Sequence, residues 1–365
     1  MAWPGFTAQI TLATGTHAFA VATGDINGDG IGDIVVTNFT ATGSVSVFLG
    51  NGNGTFVSKG TFAVGGGYPQ CIALADVNGD GVPDVLVGVG NNIEVLLGNG
   101  NGTFGAGTAF AAGGNTSAVA VADVNRDGKL DVVCASSTHV AVLLGNGNGT
   151  FGAAATFAAS TGGSIRGLAV GDLNGDGNLD VVVNDYTAHA VVVLLGNGNG
   201  TFQAPKTFAC GTMGSSPMGL TLADFNGDGF LDIAACNYGD STSTIGVLLG
   251  NGNGTFKPVS NIVTLYRPHV CTAADIDGDG KMDILAGEYS GSGKVGLLLG
   301  NGNGTFASDT NFGSGVKPWG IAILDVTGDG SPGVVWTGYS TNNVAVLANM
   351  LIPARNRGIR WGGRL

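Results

Sequence analysis

The stretch Asp25-Ile-Asn27-Gly-Asp29-Gly-Ile-Gly-Asp33 decides the fold of this chain, because it recurs about every fifty residues along the sequence. Further copies begin at Asp76, Asp123, Asp172, Asp224 and Asp275, and an altered seventh copy begins at Asp325. A fixed period in this range is the signature of a propeller or a solenoid. Seven units of this length fill the 365-residue chain, so the sequence predicts one repeat domain instead of several unrelated ones.

Each intact copy of the loop is suited to hold a metal ion. It places carboxylate or amide oxygens at positions 1, 3, 5 and 9, and the glycine at position 6 permits the sharp turn that points alternate side chains inward. Oxygen ligands crowded into one loop suit a hard cation, so we expect about six structural Ca²⁺ ions. The predicted side-chain ligands are Asp25, Asn27, Asp29, Asp33, Asp76, Asn78, Asp80, Asp84, Asp123, Asn125, Asp127, Asp131, Asp172, Asn174, Asp176, Asp180, Asp224, Asn226, Asp228, Asp232, Asp275, Asp277, Asp279 and Asp283.

The acidic charge of the chain is located mainly in these loops. The formal net charge is −12, and the six intact loops contain 19 of the 26 acidic residues. Six bound Ca²⁺ ions would cancel that charge, so the acidity is explained by metal sites and does not imply a basic partner. The repeats contain no basic stripe, which argues against a nucleic-acid partner.

Four short strands are predicted for each unit. In the third unit they are residues 118–122, 131–135 and 140–144, followed by an outer strand that runs through Phe157. The Asn-Gly pairs at 145–149 predict a type I′ hairpin, in which both central residues have positive φ. Four strands repeated radially indicate an all-β, seven-bladed β-propeller of antiparallel blades.

The two ends of the repeat region predict a closed ring. Residues 6–10 match only a fourth strand, and the last unit has three strands that end at 344–347. Pairing the N-terminal strand with the C-terminal blade would complete the seventh blade and remove an exposed sheet edge. We therefore expect one propeller domain over residues 1–350 and a basic, disordered tail over residues 351–365.

Several other properties limit the functional classes. No apolar run approaches the ~18 residues of a membrane span, and the N-terminus lacks a secretory signal pattern. The five cysteines are irregularly placed, which predicts buried free thiols and no disulfide framework. The four histidines fall in separate units, and no catalytic triad or zinc cluster can be assembled by spacing. We therefore expect that the protein is not an enzyme. We also expect it to be a monomer.

The two repeated motifs together resemble the FG-GAP/VCBS repeat family. The metal loop followed by Leu-Gly-Asn-Gly-Asn-Gly-Thr-Phe, first at residues 49–56, is typical of that family, and the resemblance covers residues 6 to about 349. The family includes the calcium-bearing propeller of integrin α subunits and a fungal seven-bladed lectin. The resemblance implies a further ligand at position 7 of each loop, a backbone carbonyl that here belongs to Ile31, Val82, Lys129, Asn178, Phe230 and Lys281. The seventh loop has Thr327 at position 3 and Gly333 at position 9, so we expect it to be empty or weak.

Residues that vary between units mark the face where recognition could be encoded. Alternating strand direction puts the metal loops and the Asn-Gly turns on one face, and the other connections on the opposite face. Six residues before each metal loop the units carry the unlike residues Phe19, Gln70, Ser117, Arg166, Met218, His269 and Trp319. Aromatic residues also follow the loop in five units, where packing at the strand end is the simpler explanation.

Blades six and seven carry the richest predicted binding neighbourhood, since aromatic faces beside hydrogen-bonding groups suit sugar or peptide recognition. The predicted ligand-binding residues are Tyr266, Arg267, His269, Glu288, Tyr289, Lys317, Trp319 and Tyr339. The sequence therefore favours an extracellular or cell-surface module that binds carbohydrate, because calcium at extracellular concentrations would fill such loops. Two alternatives remain open: a protein-adhesion scaffold, and a calcium-dependent polysaccharide lyase or hydrolase using His269.

Overall fold

The chain folds as a ring of seven sheets. The structure, a computed structural model, describes residues 3–160, 164–211, 216–239, 243–264, 267–289, 293–308, 310–313 and 315–350. Within these ranges 28 strands form seven four-stranded antiparallel sheets, the blades of a β-propeller, which confirms the predicted fold class. No helix in this part of the chain is long and apolar enough to cross a membrane. The tail predicted at 351–365 lies outside the described residues.

Within each blade the strands follow in chain order from the innermost strand to the outermost, except in the blade that closes the ring. Blade one consists of β2 (Ala18–Gly24), β3 (Asp33–Asn38), β4 (Ser44–Gly50) and β5 (Phe56–Ala63). Blade two consists of β6 (Pro69–Ala75), β7 (Asp84–Val89), β8 (Asn92–Leu96) and β9 (Thr108–Ala111). Blade three consists of β10 (Thr116–Ala122), β11 (Asp131–Ser136), β12 (His139–Leu143) and β13 (Ala155–Ala158). Blade four consists of β14 (Ile165–Gly171), β15 (Asp180–Asp185), β16 (Ala190–Leu194) and β17 (Lys206–Ala209).

The remaining three blades complete the ring. Blade five consists of β18 (Pro217–Ala223), β19 (Asp232–Asn237), β20 (Thr244–Leu248) and β21 (Ser260–Val263). Blade six consists of β22 (Pro268–Ala274), β23 (Asp283–Glu288), β24 (Val295–Leu298) and β25 (Thr310–Phe312). Blade seven consists of β26 (Pro318–Asp325), β27 (Pro332–Gly338), β28 (Asn343–Leu347) and the N-terminal strand β1 (Ile10–Ala13).

The pairing of β1 with β28 is consistent with the predicted closure. Ile10 lies opposite Val346, and Phe6 forms an isolated bridge with Asn349. The continuous part of the strand therefore begins later than the predicted residues 6–10. The same interruption recurs in the outer strands of blades two to six, where the Phe of Thr-Phe bridges to a glycine and the strand resumes after a few unpaired residues. In blade two, for example, Phe104 is buried among inter-blade core residues.

The hydrophobic core is divided among the contacts between blades. The second strands are buried along their whole length, and in six blades the aspartate that begins the strand is followed by two or three Val, Ile, Leu or Ala residues. Seven clusters of buried side chains each join two neighbouring blades, and one of them joins blade seven to blade one. All five cysteines are buried and none forms a disulfide, as the sequence predicted. The ring therefore has no blade that stabilises itself alone.

The aspartate at position 9 of each intact loop connects two turns. Asp232 is fully buried; its Oδ2 accepts the N–H of Phe225 at 2.8 Å, and its Oδ1 accepts the N–H of Gly250 at 2.7 Å. The same pair of bonds recurs in the other five blades that keep this aspartate. One buried carboxylate thereby holds the metal loop against the Asn-Gly turn, and its hydrogen bonds offset the cost of burying it.

The Asn-Gly turns differ from the predicted type I′ hairpin. In blade one only the glycines have positive φ, 68° at Gly52 and 85° at Gly54, whereas neither asparagine has. The N–H of Asn51 donates to the carbonyl of Thr55 at 2.9 Å, and Asn53 Oδ1 accepts the N–H of Thr55 at 3.0 Å. The prediction of a two-residue turn was therefore wrong. The asparagines act through side-chain hydrogen bonds in a wider turn, which also explains the Thr that follows them.

These turns also join each blade to the one before it. The N–H of Gly304 donates to the carbonyl of Phe225, at position 2 of the preceding metal loop, at 3.0 Å. A Cβ on Gly304 would lie 2.8 Å from side-chain atoms of Leu249, the leucine that begins the preceding Leu-Gly-Asn-Gly motif. The repeated motif is therefore explained by contacts between blades.

Blade seven shows why the first glycine of the motif is needed. In blade five a Cβ on Gly250 would come within 2.4 Å of the carbonyl oxygen of Leu231, because the aspartate draws the two turns together. Blade seven lacks the aspartate and has Gly333 in its place, and there the glycine of the motif is replaced by Ala348. The N–H of Ala348 donates to Thr7 Oγ1 at 3.2 Å instead. The aspartate and the glycine are thus lost together.

Replacing Gly250 with alanine should test this coupling. We expect Gly250→Ala to lower the free energy of unfolding by about 1 to 3 kcal/mol, because the methyl group would collide with a backbone carbonyl. Gly152→Ala is the matched control, since its nearest contact is an ordinary 3.6 Å. Denaturant unfolding of both variants measures the difference. Equal stability of the two variants would contradict the close approach.

Candidate functional site

The metal loops are held in shape by their own carboxylates. In blade one Asp25 Oδ1 accepts the N–H of Gly28 and Asp25 Oδ2 accepts the N–H of Gly30, both at 2.8 Å. Asp29 Oδ1 accepts the N–H of Ile31 at 2.8 Å. The altered loop at Asp325 keeps the first two of these bonds, at 2.8 and 2.7 Å, but has no carboxylate at position 9. The loop backbone therefore forms with or without the terminal aspartate.

The sixth loop fits a cation most clearly. Carboxylate oxygens of Asp275, Asp277 and Asp283 lie within 4.8 Å of one another, and Asp275 Oδ1 is buried without a hydrogen-bond partner. Burial raises the pKa of Asp283 to about 7. Lys281 Nζ pairs with Asp279 at 2.8 Å and forms no ion pair with the other three carboxylates of the loop. A divalent cation is the partner that such a group of oxygens would accept.

The other five intact loops carry asparagine at position 3 and are arranged slightly differently. In blade one Asn27 Nδ2 donates to Asp29 Oδ2 at 2.8 Å, and the same bond occurs at the equivalent positions of blades two to five. Among the described residues, only the sixth loop gathers three carboxylates so closely. The position-9 aspartates are again buried, and burial raises the pKa of Asp33, Asp180 and Asp232 to about 6. All six predicted ligand sets therefore lie in comparable loops at the same end of the first strands.

A second feature lies at the opposite end of the first strands. In every blade a β-bulge interrupts the pairing between the first and second strands just after the first strand begins. The residues in the bulges are the seven unlike residues singled out in the sequence, namely Phe19, Gln70, Ser117, Arg166, Met218, His269 and Trp319. They lie six residues before the metal loops, which corresponds to ~20 Å along a strand. A bulge bends the strand and re-aims a side chain.

Side chains of the second strands hold several bulges open. In blade four Asn184 Oδ1 accepts the N–H groups of both Arg166 and Gly167, each at 2.8 Å. In blade one the hydroxyl of Thr37 accepts the N–H of Ala20, and in blade seven that of Thr337 accepts the N–H of Gly320, each at 2.9 Å. These bonds satisfy backbone donors that the interrupted ladder would otherwise leave unpaired.

The seven bulge residues line one cavity on the axis of the ring. Neighbouring first strands pack against each other around the ring, so their equivalent positions converge at its centre. The cavity has a volume of about 220 Å³. Phe19 and Trp319 lie on one side, with ring centroids 4.9 Å apart, and Arg166 belongs to blade four across the ring. We call this cavity the axial pocket.

His269 is the buried polar group of the axial pocket. Neither of its ring nitrogens has a hydrogen-bond partner, and neither contacts solvent. Burial lowers the pKa of His269 to about 4, and the positive charge of Arg166 contributes to the shift. The ring stacks on Tyr289, with centroids 5.5 Å apart, and meets Trp319 edge-on at 4.7 Å. His269 is therefore neutral at physiological pH, and it forms no hydrogen bond with Glu288.

Aromatic residues that follow the metal loops form a second layer around the pocket. Tyr289 and Tyr339 both pack against Trp319, with centroids 5.4 and 5.2 Å apart, and Phe39 stacks on Phe19 at 5.0 Å. Tyr238 continues the layer through Tyr289 at 5.2 Å. These residues pack at the strand ends, and by doing so they support the rings that line the pocket.

The predicted ligand-binding residues are distributed unevenly. His269, Tyr289, Trp319 and Tyr339 belong to one aromatic cluster at the axial pocket. Arg267 instead lies over the ring of Tyr238, with its guanidinium carbon 5.3 Å from the centroid. Glu288 is buried at the end of its strand, and Lys317 is exposed next to Pro318. Tyr266 lies outside the described residues.

Five of the seven bulge residues lie in the pocket but outside the predicted binding set. They are Phe19, Gln70, Ser117, Arg166 and Met218, which the sequence marks only as positions that vary between blades. The available signal was their common position before the loop, since equivalent positions of innermost strands must meet at the axis of a closed ring. The site is therefore one asymmetric pocket shared by all seven blades, and the rim of blades six and seven forms part of its wall.

Comparison with known proteins agrees with this architecture. The model of the FG-GAP-like repeat matches residues 25–87, 76–134, 123–183, 172–235, 234–286 and 275–336. No curated protein is matched by sequence. Among solved structures, an Agrocybe aegerita lectin that recognises non-reducing terminal N-acetylglucosamine has 24% identity and a TM-score of 0.61, covering 92% of this chain and 86% of the lectin chain.

Two further structures show the same fold at lower identity. BBS1N in complex with ARL6DN, soaked with mercury, has 13% identity and a TM-score of 0.64, covering 97% of this chain and 99% of that chain. The lead-soaked form has 12% identity and a TM-score of 0.66, covering 98% and 99%. Because the repeat model matches most of the chain, the protein belongs to the family of FG-GAP-like repeat β-propellers.

Proposed function

We propose that this propeller is an extracellular or cell-surface binding module that recognises a saccharide in the axial pocket and is stabilised by calcium at the opposite face. The observation that carries the proposal is the convergence of seven unlike bulge residues on one pocket. Repeated residues account for the strands, the loops and the contacts between blades. The bulge residues do not repeat, and folding alone does not require such a varied set.

The chemistry of the pocket suits a sugar ring. The aromatic residues Phe19 and Trp319 give one side of the pocket an apolar surface, while Gln70, Ser117 and Arg166 carry hydrogen-bonding groups. Sugars bind where one face can stack on an aromatic ring and the hydroxyls meet polar groups. The volume of about 220 Å³ is below the range of about 300 to 1,000 Å³ typical of drug-sized ligands, so a single ring fits better than a long chain. The lectin with the same fold supports the proposal only at the level of architecture.

Calcium has a structural part in this proposal. The loops lie at the other end of the first strands from the pocket, and the carboxylates that would hold the ion also contact both turns of a blade. A bound ion would neutralise the repulsion among Asp275, Asp277 and Asp283 and fix the loop. The resulting stabilisation would add to that of the hydrogen bonds already present.

Calcium removal should weaken the fold without acting on the pocket directly. We expect about six Ca²⁺ per chain by elemental analysis, and a lower unfolding temperature after chelation, since binding to the folded state alone stabilises it. Asp283→Asn should remove about one ion, whereas Asp185→Asn, a buried carboxylate outside the loops, should remove none. A calcium-free protein with an unchanged unfolding temperature would contradict the structural role.

Saccharide binding should depend on the axial pocket. A glycan array followed by titration calorimetry on the best ligand should show at least about ten-fold weaker binding for Trp319→Phe and His269→Ala, because both change the aromatic wall. His139→Ala is the matched control, since this histidine is exposed on the third strand of blade three.

Three outcomes would contradict the proposal. Binding of a protein partner on the same face with no glycan signal would favour an adhesion scaffold. Glycan binding that persists in the pocket variants, provided that both variants unfold like the wild type, would place the sugar site elsewhere. Turnover of a polysaccharide that is lost in His269→Ala would instead identify an enzyme.

A further inference from the structure

The polar groups of the axial pocket are unbalanced in charge. The polar residues of its lining are Arg166, Gln70, Ser117 and His269, and the lining contains no aspartate or glutamate. Ser117 Oγ donates to the carbonyl of Ile165 at 2.8 Å, so its hydroxyl proton is already engaged. Arg166 is therefore the only formally charged residue of the lining, since His269 is neutral at physiological pH.

The Arg166 side chain has no partner of its own. It is exposed, and within the described part of the chain its guanidinium makes no ion pair and no hydrogen bond. Its backbone, in contrast, is fixed by Asn184, whose Nδ2 donates to the carbonyl of Met218 in the next blade. The nearby Asp185 directs Oδ1 at the N–H groups of Thr187 and Ala188, at 3.1 and 3.0 Å. The backbone of Arg166 is therefore fixed, while its guanidinium has no ionic partner among the described residues.

The acidic loops do not cancel this charge. They lie ~20 Å away at the far end of the first strands, beyond the Debye length of about 8 Å at physiological ionic strength. Calcium in the loops would reduce their field further.

We propose that the axial pocket selects an acidic saccharide, with the carboxylate of a uronic-acid-type ring held by Arg166 and the ring seated against Phe19 and Trp319. This inference rests on the proposed function and names its ligand class. Arginine presents paired N–H donors that match the two oxygens of a carboxylate. Blade four lies across the ring from blades seven and one, so the cation and the aromatic wall face the ligand from opposite sides.

The test compares a charged sugar with its neutral counterpart. Methyl β-glucuronide and methyl β-glucoside differ only at C6, where a carboxylate replaces the hydroxymethyl group, so titration of each into the full calcium-loaded chain isolates the effect of that replacement. We expect the glucuronide to bind at least about ten-fold more tightly, with an affinity that falls as salt rises. Arg166→Gln should remove the preference for the glucuronide over the glucoside, and Arg166→Lys should keep part of that preference.

Controls separate this inference from the proposed function. Lys206→Gln removes an exposed cation from the outer strand of the same blade and should change neither affinity. Equal binding of the two sugars, or a preference that survives in Arg166→Gln, would overturn the acidic-saccharide inference while leaving sugar binding intact. Failure of both sugars to bind the wild type would overturn the inference. If the glycan array were also negative, the proposed function would fail as well. Sulfate that competes as strongly as the glucuronide would show a site for any anion and would contradict selection of a sugar.

Discussion

The buried carboxylate at position 9 of the repeat is the interaction on which this propeller depends. In six blades it accepts one N–H from the metal loop and one from the glycine of the following Asn-Gly turn. The two turns of a blade are thereby held together at one face, and the turns in turn contact the preceding blade. The hydrophobic core also lies between neighbouring blades, so the turns and the core connect the same pairs of blades. The repeated hydrogen bonds of the position-9 aspartate and the hydrophobic contacts between blades together stabilise the ring.

The clamp leaves the other end of the first strands free to vary. There each blade interrupts its ladder with a bulge, and hydrogen bonds from second-strand residues such as Asn184 and Thr337 satisfy the freed backbone. The identity of the bulge residue can then vary between blades, because that residue is not required for pairing with the second strand. Seven such positions meet at the axis and form a pocket that no single blade contains. Scaffold and candidate site are therefore separated by the length of one strand.

The sequence predicted the repeated parts of the structure well, because their period and turn chemistry are local. The number of blades, the four strands in each and the buried thiols all followed from residue patterns. The turn geometry was wrong because Asn51 and Asn53 act through side-chain hydrogen bonds and do not adopt positive φ. The axial pocket was only partly predicted. Arg166 and Phe19 are 147 residues apart in the chain and share a cavity only after the ring has closed.

The most direct test of this account is a crystal structure of the calcium-loaded protein with a bound saccharide. The account predicts one ligand per chain, on the axis, with the sugar ring against Trp319 and a polar group of the ligand at Arg166. It also predicts ions in the loops at the opposite face. Ligands repeated in equivalent pockets between the outer strands of several blades, with the axis empty, would contradict the claim that recognition lies in the bulge residues.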